Sequence, residues 1–455
     1  MNDSFMALRS AFPENVWPVV PTPPGAALLA MQYQLQQSQW WSPEQLRSQQ
    51  FRQLNVLLRH AYDTTSYYRR QFDAADFDPK PTLTEQTFTR LPLLTRAQLQ
   101  QSFSDLCSQR VPASSGRITE NMTSGSTGMP VRFLTTELTA FYWRVFTLRD
   151  HLWHRRDFSG KLAAIRLKVK EGEWPGWGSS VDTVLRSGSS ATLDINRDVD
   201  EQLRWLEQQN PVYLLTFATN LEALARRSRD LGVRLPALRE ARTISEMLPP
   251  GLRALVREAW GVPLVDLYSS QEIGYIALQC PEHEHYHVQP ENTLVELLRD
   301  NGTPCVPGEV GRVVLTSLHN FAMPLIRYEI GDYAETGVPC SCGRGLPVIH
   351  HIMGRVRNMV RLPDGGRHWP SLGMLSAMPI GLIKQFQCIQ LSLQQIEVRL
   401  VTARPLSAEE EMQLRASMHK KLGYPFDLAI VYCEKLERGA GGKFEEFRSE
   451  ISTDR

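Results

Sequence analysis

The run Thr123-Ser124-Gly125-Ser126-Thr127-Gly128 alternates hydroxyl side chains with glycine. It is too polar for a core strand and too glycine-rich for a helix. Backbone N–H groups in such a loop can converge on phosphate oxygens, and the hydroxyls add donors. Glycine allows the backbone to approach closely. The GxxxxGK[ST] phosphate loop is absent, because Met129-Pro130 stands where a lysine would follow Gly128. Taken alone, the run also reads as a flexible surface loop.

Three further stretches follow in order: Tyr268-Ser269-Ser270-Gln271-Glu272, Tyr328-Glu329-Ile330-Gly331-Asp332, and Gly441-Gly442-Lys443. Each has an ordinary reading by itself: a core aromatic before a surface carboxylate, a turn, a solvated lysine. As an ordered set they resemble the motifs of the adenylate-forming superfamily of acyl-CoA synthetases. SQWWSPEQL, LRHAYDTTSYYR and KQFQCIQ make the chain look like the phenylacetate–CoA ligase and CapK branch.

The resemblance implies ATP-dependent activation of a carboxylic acid, aryl or arylacetic, to an acyl-adenylate with release of pyrophosphate. Transfer to a thiol such as CoA then follows. That chemistry crowds negative charge and needs cationic and N–H groups around it. By resemblance, Thr123 to Gly128 hold phosphate, with Thr127 also catalytic. Glu272 holds Mg2+, for which one carboxylate plus phosphate oxygens and water suffice. Tyr268 and Ser269 lie against adenine, with Ser245 and Glu246 nearby. Asp332 accepts from the ribose hydroxyls. Lys443, from a mobile loop, bridges carboxylate and α-phosphate. Arg355 begins the hinge between two domains. There the sequence departs from the wider pattern Gly-Arg-x-Asp, with Arg357 at the acidic position and Asn358 after it. RLPDGGRHWP also replaces a glycine-rich stretch of CoA ligases. Transfer to an amine, a saccharide hydroxyl or a carrier-protein thiol therefore stays open beside CoA. So does a non-catalytic nucleotide-binding homologue, against which the intact motif residues argue.

Cys280, His283, His285 and His287 precede Cys340 and Cys342. Cys-x-Cys beside Gly-Arg makes a tight turn with converging thiolates. With Cys280 and one histidine it could close a Cys3His zinc site, although free thiols fit the spacing equally. A similar cluster in CapK-like relatives implies a structural zinc held by Cys280, His287, Cys340 and Cys342. His287 is the expected ligand because it opens a strand. His283 is the alternative, and His285 is expected to face solvent.

The elements that must position these residues are legible. The first ~35 residues, rich in proline, read as an irregular lead-in. Ser42 caps a helix that starts at Pro43, with Leu46, Leu54, Leu57, Leu58 and Ala61 at helical spacing. KLAAIRL, PVYLLTF, TLVELL and GRVVLTS read as strands alternating with helices such as LPPGLRALVREAWG, an α/β architecture. PDGG marks a turn. Beyond it come two strands in QFQCIQLSLQQIEVRLVT, a helix capped by Ser407 and Glu410 and ended by Gly423, and the strand DLAIVYC. The expected organisation is a large multi-subdomain α/β adenylation domain (1–354) and a small mobile α+β domain (355–455) carrying Lys443. Phe217 and Tyr275 are candidates to stack an aromatic substrate, in walls at Tyr213 to Asn220 and Ser269 to Ile273.

The 455 residues carry 42% apolar and 22% charged residues and a net charge of +1, so no global field draws the chain to nucleic acid or acidic membranes. No apolar stretch approaches the ~20 residues of a membrane span, and no signal peptide is evident. Seven cysteines, three of them scattered (Cys107, Cys388, Cys433), suit a reducing cytoplasm. Expected partners are the acid and its acceptor, with a carrier protein or a homodimer also admitted.

Overall fold

The computed structural model describes residues 8–123, 130–370, 372, 383–439 and 443–451. The first departure from expectation comes early. Pro23–Ser38 is a helix rather than an irregular lead-in. Thr22 caps it, accepting from the Gly25 N–H, and Pro23 suits the first helical turn, where no N–H is needed. The apolar and glutamine residues that follow favour helix. The next helix, Pro43–Thr64, starts as read, with Ser42 and Gln45 forming a reciprocal capping box.

The strands are β1 (Ile118–Met122), β2 (Arg132–Thr136), β3 (Leu162–Arg166), β4 (Gly172–Trp174), β5 (Ser190–Asp194), β6 (Tyr213–Phe217) and β7 (Glu240–Ile244). Next are β8 (Leu264–Ser270), β9 (Gly274–Gln279), β10 (Tyr286–Val288), β11 (Thr293–Leu298), β12 (Val310–Ser317), β13 (Tyr328–Thr336) and β14 (Val348–Arg355). The remainder are β15 (Val360–Arg361), β16 (Arg367–His368), β17 (Ile383–Gln390), β18 (Gln395–Thr402), β19 (Asp427–Tyr432) and β20 (Phe447–Ser449). Strands β3 to β14 form one twelve-stranded sheet in the order β11-β12-β13-β14-β10-β9-β8-β7-β6-β3-β5-β4.

That sheet has two halves. From β5 through β3, β6 and β7 to β8 the pairing is parallel. Helices Val199–Gln209, Ala218–Leu231 and Leu252–Trp260 supply the crossovers that parallel strands require. Their apolar stripes (Leu203, Leu206, Leu221, Leu224, Val256) bury against Ala163, Leu214 and Ala241 of the sheet. From β8 through β9 and β10 to β14 the pairing is antiparallel, and it stays so out to β11. Leu54, Leu57 and Leu58 of helix Pro43–Thr64 pack in one core with Ile276, Val313, Leu315 and Tyr328 of that half.

The C-terminal strands make a separate four-stranded sheet, β19-β18-β17-β20. Helix Ala408–Leu422 has the expected capping box and a left-handed Gly423 at its end. It buries Leu414, Met418 and Leu422 against Phe386, Val398 and Leu400. The PDGG turn joins β15 to β16.

Against the amino-terminal half of β7 lies a buried ionic group. Asp150, on helix Glu137–Trp153, accepts from Arg156 at 2.7 Å and from Arg242 of β7, and Arg156 also donates to Glu240 of β7 at 2.6 Å. Burial alone would raise the Asp150 carboxyl, but Arg156, Arg242, His154 and His151 outweigh it and hold it well below the usual range. Removing one member leaves buried charges uncompensated. Asp150→Ala should therefore destabilise the protein by about 3–5 kcal/mol, read as a lowered calorimetric melting temperature. An unchanged melting temperature would show that the network does not brace β7.

Candidate adenylate-forming site

The groove opens at the carboxyl ends of β7 and β8, where open α/β sheets place their ligands. Ser245, just past β7, adopts a left-handed conformation (φ 70°) that is uncommon outside glycine. The turn places Glu246 in the groove wall. One Glu246 oxygen accepts from the Thr219 N–H and hydroxyl, both at 2.8 Å. The other accepts from the Phe444 N–H at 2.7 Å and from Arg438 at 3.3 Å. Burial pushes this carboxyl up, against Arg438 and the two N–H donors. Glu246 thus joins the large sheet's region to the C-terminal one.

Tyr268, in the buried part of β8, donates its hydroxyl to Asp332 at 2.7 Å. Arg355, at the end of β14, donates to the other Asp332 oxygen at 3.2 Å. The register Asp332↔Arg355 between β13 and β14 sets that pair across the strands. Ser245, Glu246, Tyr268, Ser269, Asp332, Arg355 and Lys443 all line one groove of about 710 Å³. Burial lowers the Lys443 ammonium, with Arg355 adding to the effect, while Asp332, Glu272 and Glu246 oppose it. The lysine thus stands in the field of three carboxylates and one guanidinium.

Glu272 is buried at the neighbouring cavity, of about 480 Å³, whose walls include Phe133, Tyr142, Trp143, Tyr275 and His319. Tyr275, one of the two candidates for a substrate platform, thus lines this cavity. Phe217 does not: it packs in the helix-covered core with Leu214 and Leu221. Within Tyr213 to Asn220, Thr219 lines the groove. Strand β6 is paired parallel on both edges and buried along most of its length, so the segment after β8 supplies the wall instead. Ser124, Gly125, Ser126, Thr127 and Gly128 lie outside the described residues. Thr123 does not, and it closes the base of that loop. Its N–H donates to the Val131 carbonyl at 2.8 Å and its hydroxyl accepts from the Val131 N–H at 2.9 Å.

Where the sequence departs from Gly-Arg-x-Asp, Arg357 and Asn358 both find local partners. Arg357 pairs with Glu445, and the Asn358 amide donates to the Phe447 carbonyl at 2.8 Å. Glu445 and Phe447 both lie in the segment that carries Lys443. Glu446, between them, is partly buried and faces Glu222 and Glu246. Burial and these like charges push its carboxyl up to about 8, against Arg226 and Lys421.

The sulfur and imidazole residues do assemble. Cys280 and Cys340 sulfurs lie 3.9 Å apart, and the Cys342 sulfur is 3.4 Å from His287 Nε2. Ligand atoms of Cys280, His285, His287 and Cys340 fall within 4.8 Å of one another. His285 is thus turned inward, contrary to expectation, and its Nε2 is buried without a partner. Strand alternation gives the reason: positions two apart share a face, so 285 follows 287. Three thiols and two imidazoles offer five donors to a tetrahedral ion, which suits zinc. Sequence reading also missed Arg438, Glu446 and His319. The first two are recognisable only through contacts distant in sequence, and a lone histidine has no motif.

Comparison with known proteins agrees with this construction. Residues 373–449 match the family model of the CapK C-terminal domain. The phenylacetate-coenzyme A ligase of Thermus thermophilus is 25% identical over 332 residues, covering 70% of this chain and 72% of that protein. Its Escherichia coli counterpart is 22% identical over 424 residues, covering 88% and 94%. The crystal structure of 2-hydroxyisobutyryl-CoA ligase in the postadenylation state superposes with a TM-score of 0.69 at 18% identity, over 88% of this chain and 89% of that one. In sequence this chain is similar to the phenylacetate–CoA ligases, its fold is that of 2-hydroxyisobutyryl-CoA ligase, and residues 373–449 match the CapK C-terminal domain.

Proposed function

We propose that the protein activates a carboxylic acid with ATP and passes the acyl group to a thiol, CoA being the first candidate. The observation that carries this reading is the groove in which Tyr268, Asp332, Arg355, Glu246 and Lys443 converge beside the cavity at Glu272. In the first step a carboxylate oxygen attacks the α-phosphorus, and the bond to the pyrophosphate oxygen breaks. Lys443 sits to neutralise the two anions as they meet, and Asp332 to accept from a ribose. Glu272 would hold Mg2+, which supplies charge neutralisation at the phosphates. Thr123 to Gly128 are assigned to phosphate, with Thr127 also catalytic, on their sequence. In the second step a thiolate attacks the acyl carbon and AMP leaves. We assign the boundary between a large domain (1–354) and a small mobile one (355–455) to the end of β14.

The turn-rich hairpin of β15 and β16 favours keeping a second acceptor in view. It stands where CoA ligases carry glycine, and Trp369 beyond it donates to the Arg355 carbonyl at 3.3 Å. An amine, a saccharide hydroxyl or a carrier-protein thiol is the alternative, separable by product analysis with each acceptor.

Acid-stimulated, magnesium-dependent ATP–pyrophosphate exchange is the expected activity, since it needs no acceptor. Lys443→Ala should lower it by about 10²–10³-fold while sparing transfer from preformed acyl-adenylate. Asp332→Ala should weaken nucleotide binding in both steps. Absence of exchange and of ATP cleavage with a broad acid panel would sink the reading.

We assign a structural zinc to Cys280, Cys340, His287 and either Cys342 or His285. Metal analysis should return about one zinc per chain, and Cys340→Ser should lose it with some stability. Metal-free protein whose clustered thiols all react freely while folded would refute the site.

Docking of the C-terminal region should depend on pH through Glu446. Undocked, its carboxyl returns to the ordinary value near ~4.3. Between that value and about 8 the docked state holds one proton more. Docking therefore weakens as pH rises across this window and levels off above it. Energy transfer between one dye on each region should fall as pH rises from about 5 to about 8, across that window. Glu446→Gln should flatten that profile, and a flat wild-type profile would contradict the linkage.

A further inference from the structure

The cavity beside Glu272 has a polarity that the proposed activation does not explain. His319 and Tyr142 stack face to face in its wall, with ring centroids 3.9 Å apart and planes 5° from parallel. His319 Nε2 lies 2.7 Å from the Glu291 carbonyl oxygen. A carbonyl only accepts, so Nε2 carries the proton. Burial holds the imidazole down to about 4, against that carbonyl bond, so the ring is neutral near pH 7. Nδ1 is then a lone-pair acceptor. Among the described residues no protein donor reaches it, and it is not one of the sealed, unpartnered atoms. Nδ1 is therefore accessible, on a ring that lines the cavity.

A second acceptor stands in the same wall. Asn292 directs its amide hydrogens to the carbonyls of Tyr275, at 2.7 Å, and Ile273. That fixes its orientation and leaves Oδ1 as acceptor, again with no donor from the described protein. Trp143 and Tyr275 pack 5.0 Å apart beside it. The cavity's described lining contains neither lysine nor arginine, and Glu272 is its one carboxylate. A second acid group on the ligand would meet no cation there. A ligand that fills the cavity without a donor leaves both acceptors unpaired, so a ligand that supplies one is favoured.

We infer that this cavity selects an aromatic monocarboxylic acid whose ring bears a hydrogen-bond donor, a hydroxyl or amino group, received by His319 Nδ1 and Asn292 Oδ1. The inference rests on the reading that a carboxylic acid occupies the cavity. The rings supply the apolar slot and the two acceptors supply the discrimination. A volume of about 480 Å³ leaves room for a substituted ring rather than a short aliphatic acid alone.

Calorimetric binding of matched pairs tests this without catalysis: phenylacetate against its ring-hydroxylated isomers, and benzoate against the aminobenzoates. The best donor-bearing acid should bind wild-type protein about tenfold or more tightly than its parent. His319→Phe keeps a ring against Tyr142 and deletes one of the two acceptors, and should lower that ratio severalfold. His319→Gln can donate to Glu291 and still accept from ligand, and should restore part of the preference. Parents that bind wild type as well as every analogue overturn the inference, as does a preference unchanged in His319→Phe. Pyrophosphate exchange with the same acids separates the two readings. Exchange without donor preference rejects the selection and leaves activation standing. A binding preference without exchange does the reverse, and no binding by any acid rejects both.

Discussion

Strand β8 is paired parallel on one edge and antiparallel on the other, and that double pairing is the constraint on which the rest depends. A parallel neighbour arrives through a crossover helix, so β7 must end in a loop at the same edge as β8. An antiparallel neighbour turns straight back, so the segment after β8 must fold down its other side. The first requirement brings Ser245 and Glu246 to the groove. The second carries Glu272 and Tyr275 into the adjoining cavity. Moving β8 by one residue would exchange Tyr268 for a neighbour facing the other way. The ionic group under β7 and the apolar cores on both halves hold that register.

Asp332 and Glu246 share a pattern. Each carboxylate is divided between donors from elements far apart in sequence. Asp332 serves β8 and β14, while Glu246 serves the start of helix Ala218–Leu231 and the segment around Phe444. Carboxylates accept at two oxygens, so they can join two elements where an amide would need its orientation fixed. Neither is a general surface acid. In the proposed reaction Asp332 would trade part of its protein bonding for ribose.

Much of this was legible in the sequence because it depends on local chemistry. The caps at Ser42 and Ser407, the left-handed end at Gly423 and the turn at PDGG are decided within a few residues. The ordered motifs placed Tyr268, Asp332, Arg355 and Lys443 in one groove before any strand was paired. What the sequence concealed depends on distant partners. Helix Pro23–Ser38 was masked by the prolines that start it. His285 was set aside although its spacing from His287 puts both on one face. Phe217 looked like a substrate platform, but crossover helices cover β6. Glu446 and His319 have ordinary neighbours in sequence, and only burial beside Glu222 and stacking on Tyr142 give them their character.

The bond from the Phe444 N–H to Glu246 has one more consequence. It is made by the main chain, one residue past Lys443, and so is indifferent to side-chain identity at either position. The seat of the loop and the group it presents are therefore separate features. A descendant of this fold could exchange the ammonium for another head group, or dispense with it, and the segment would still arrive at the same place. Such a lineage would keep the shape of the closed groove while its chemistry drifted, so resemblance of shape alone would be a poor guide to what any one member does.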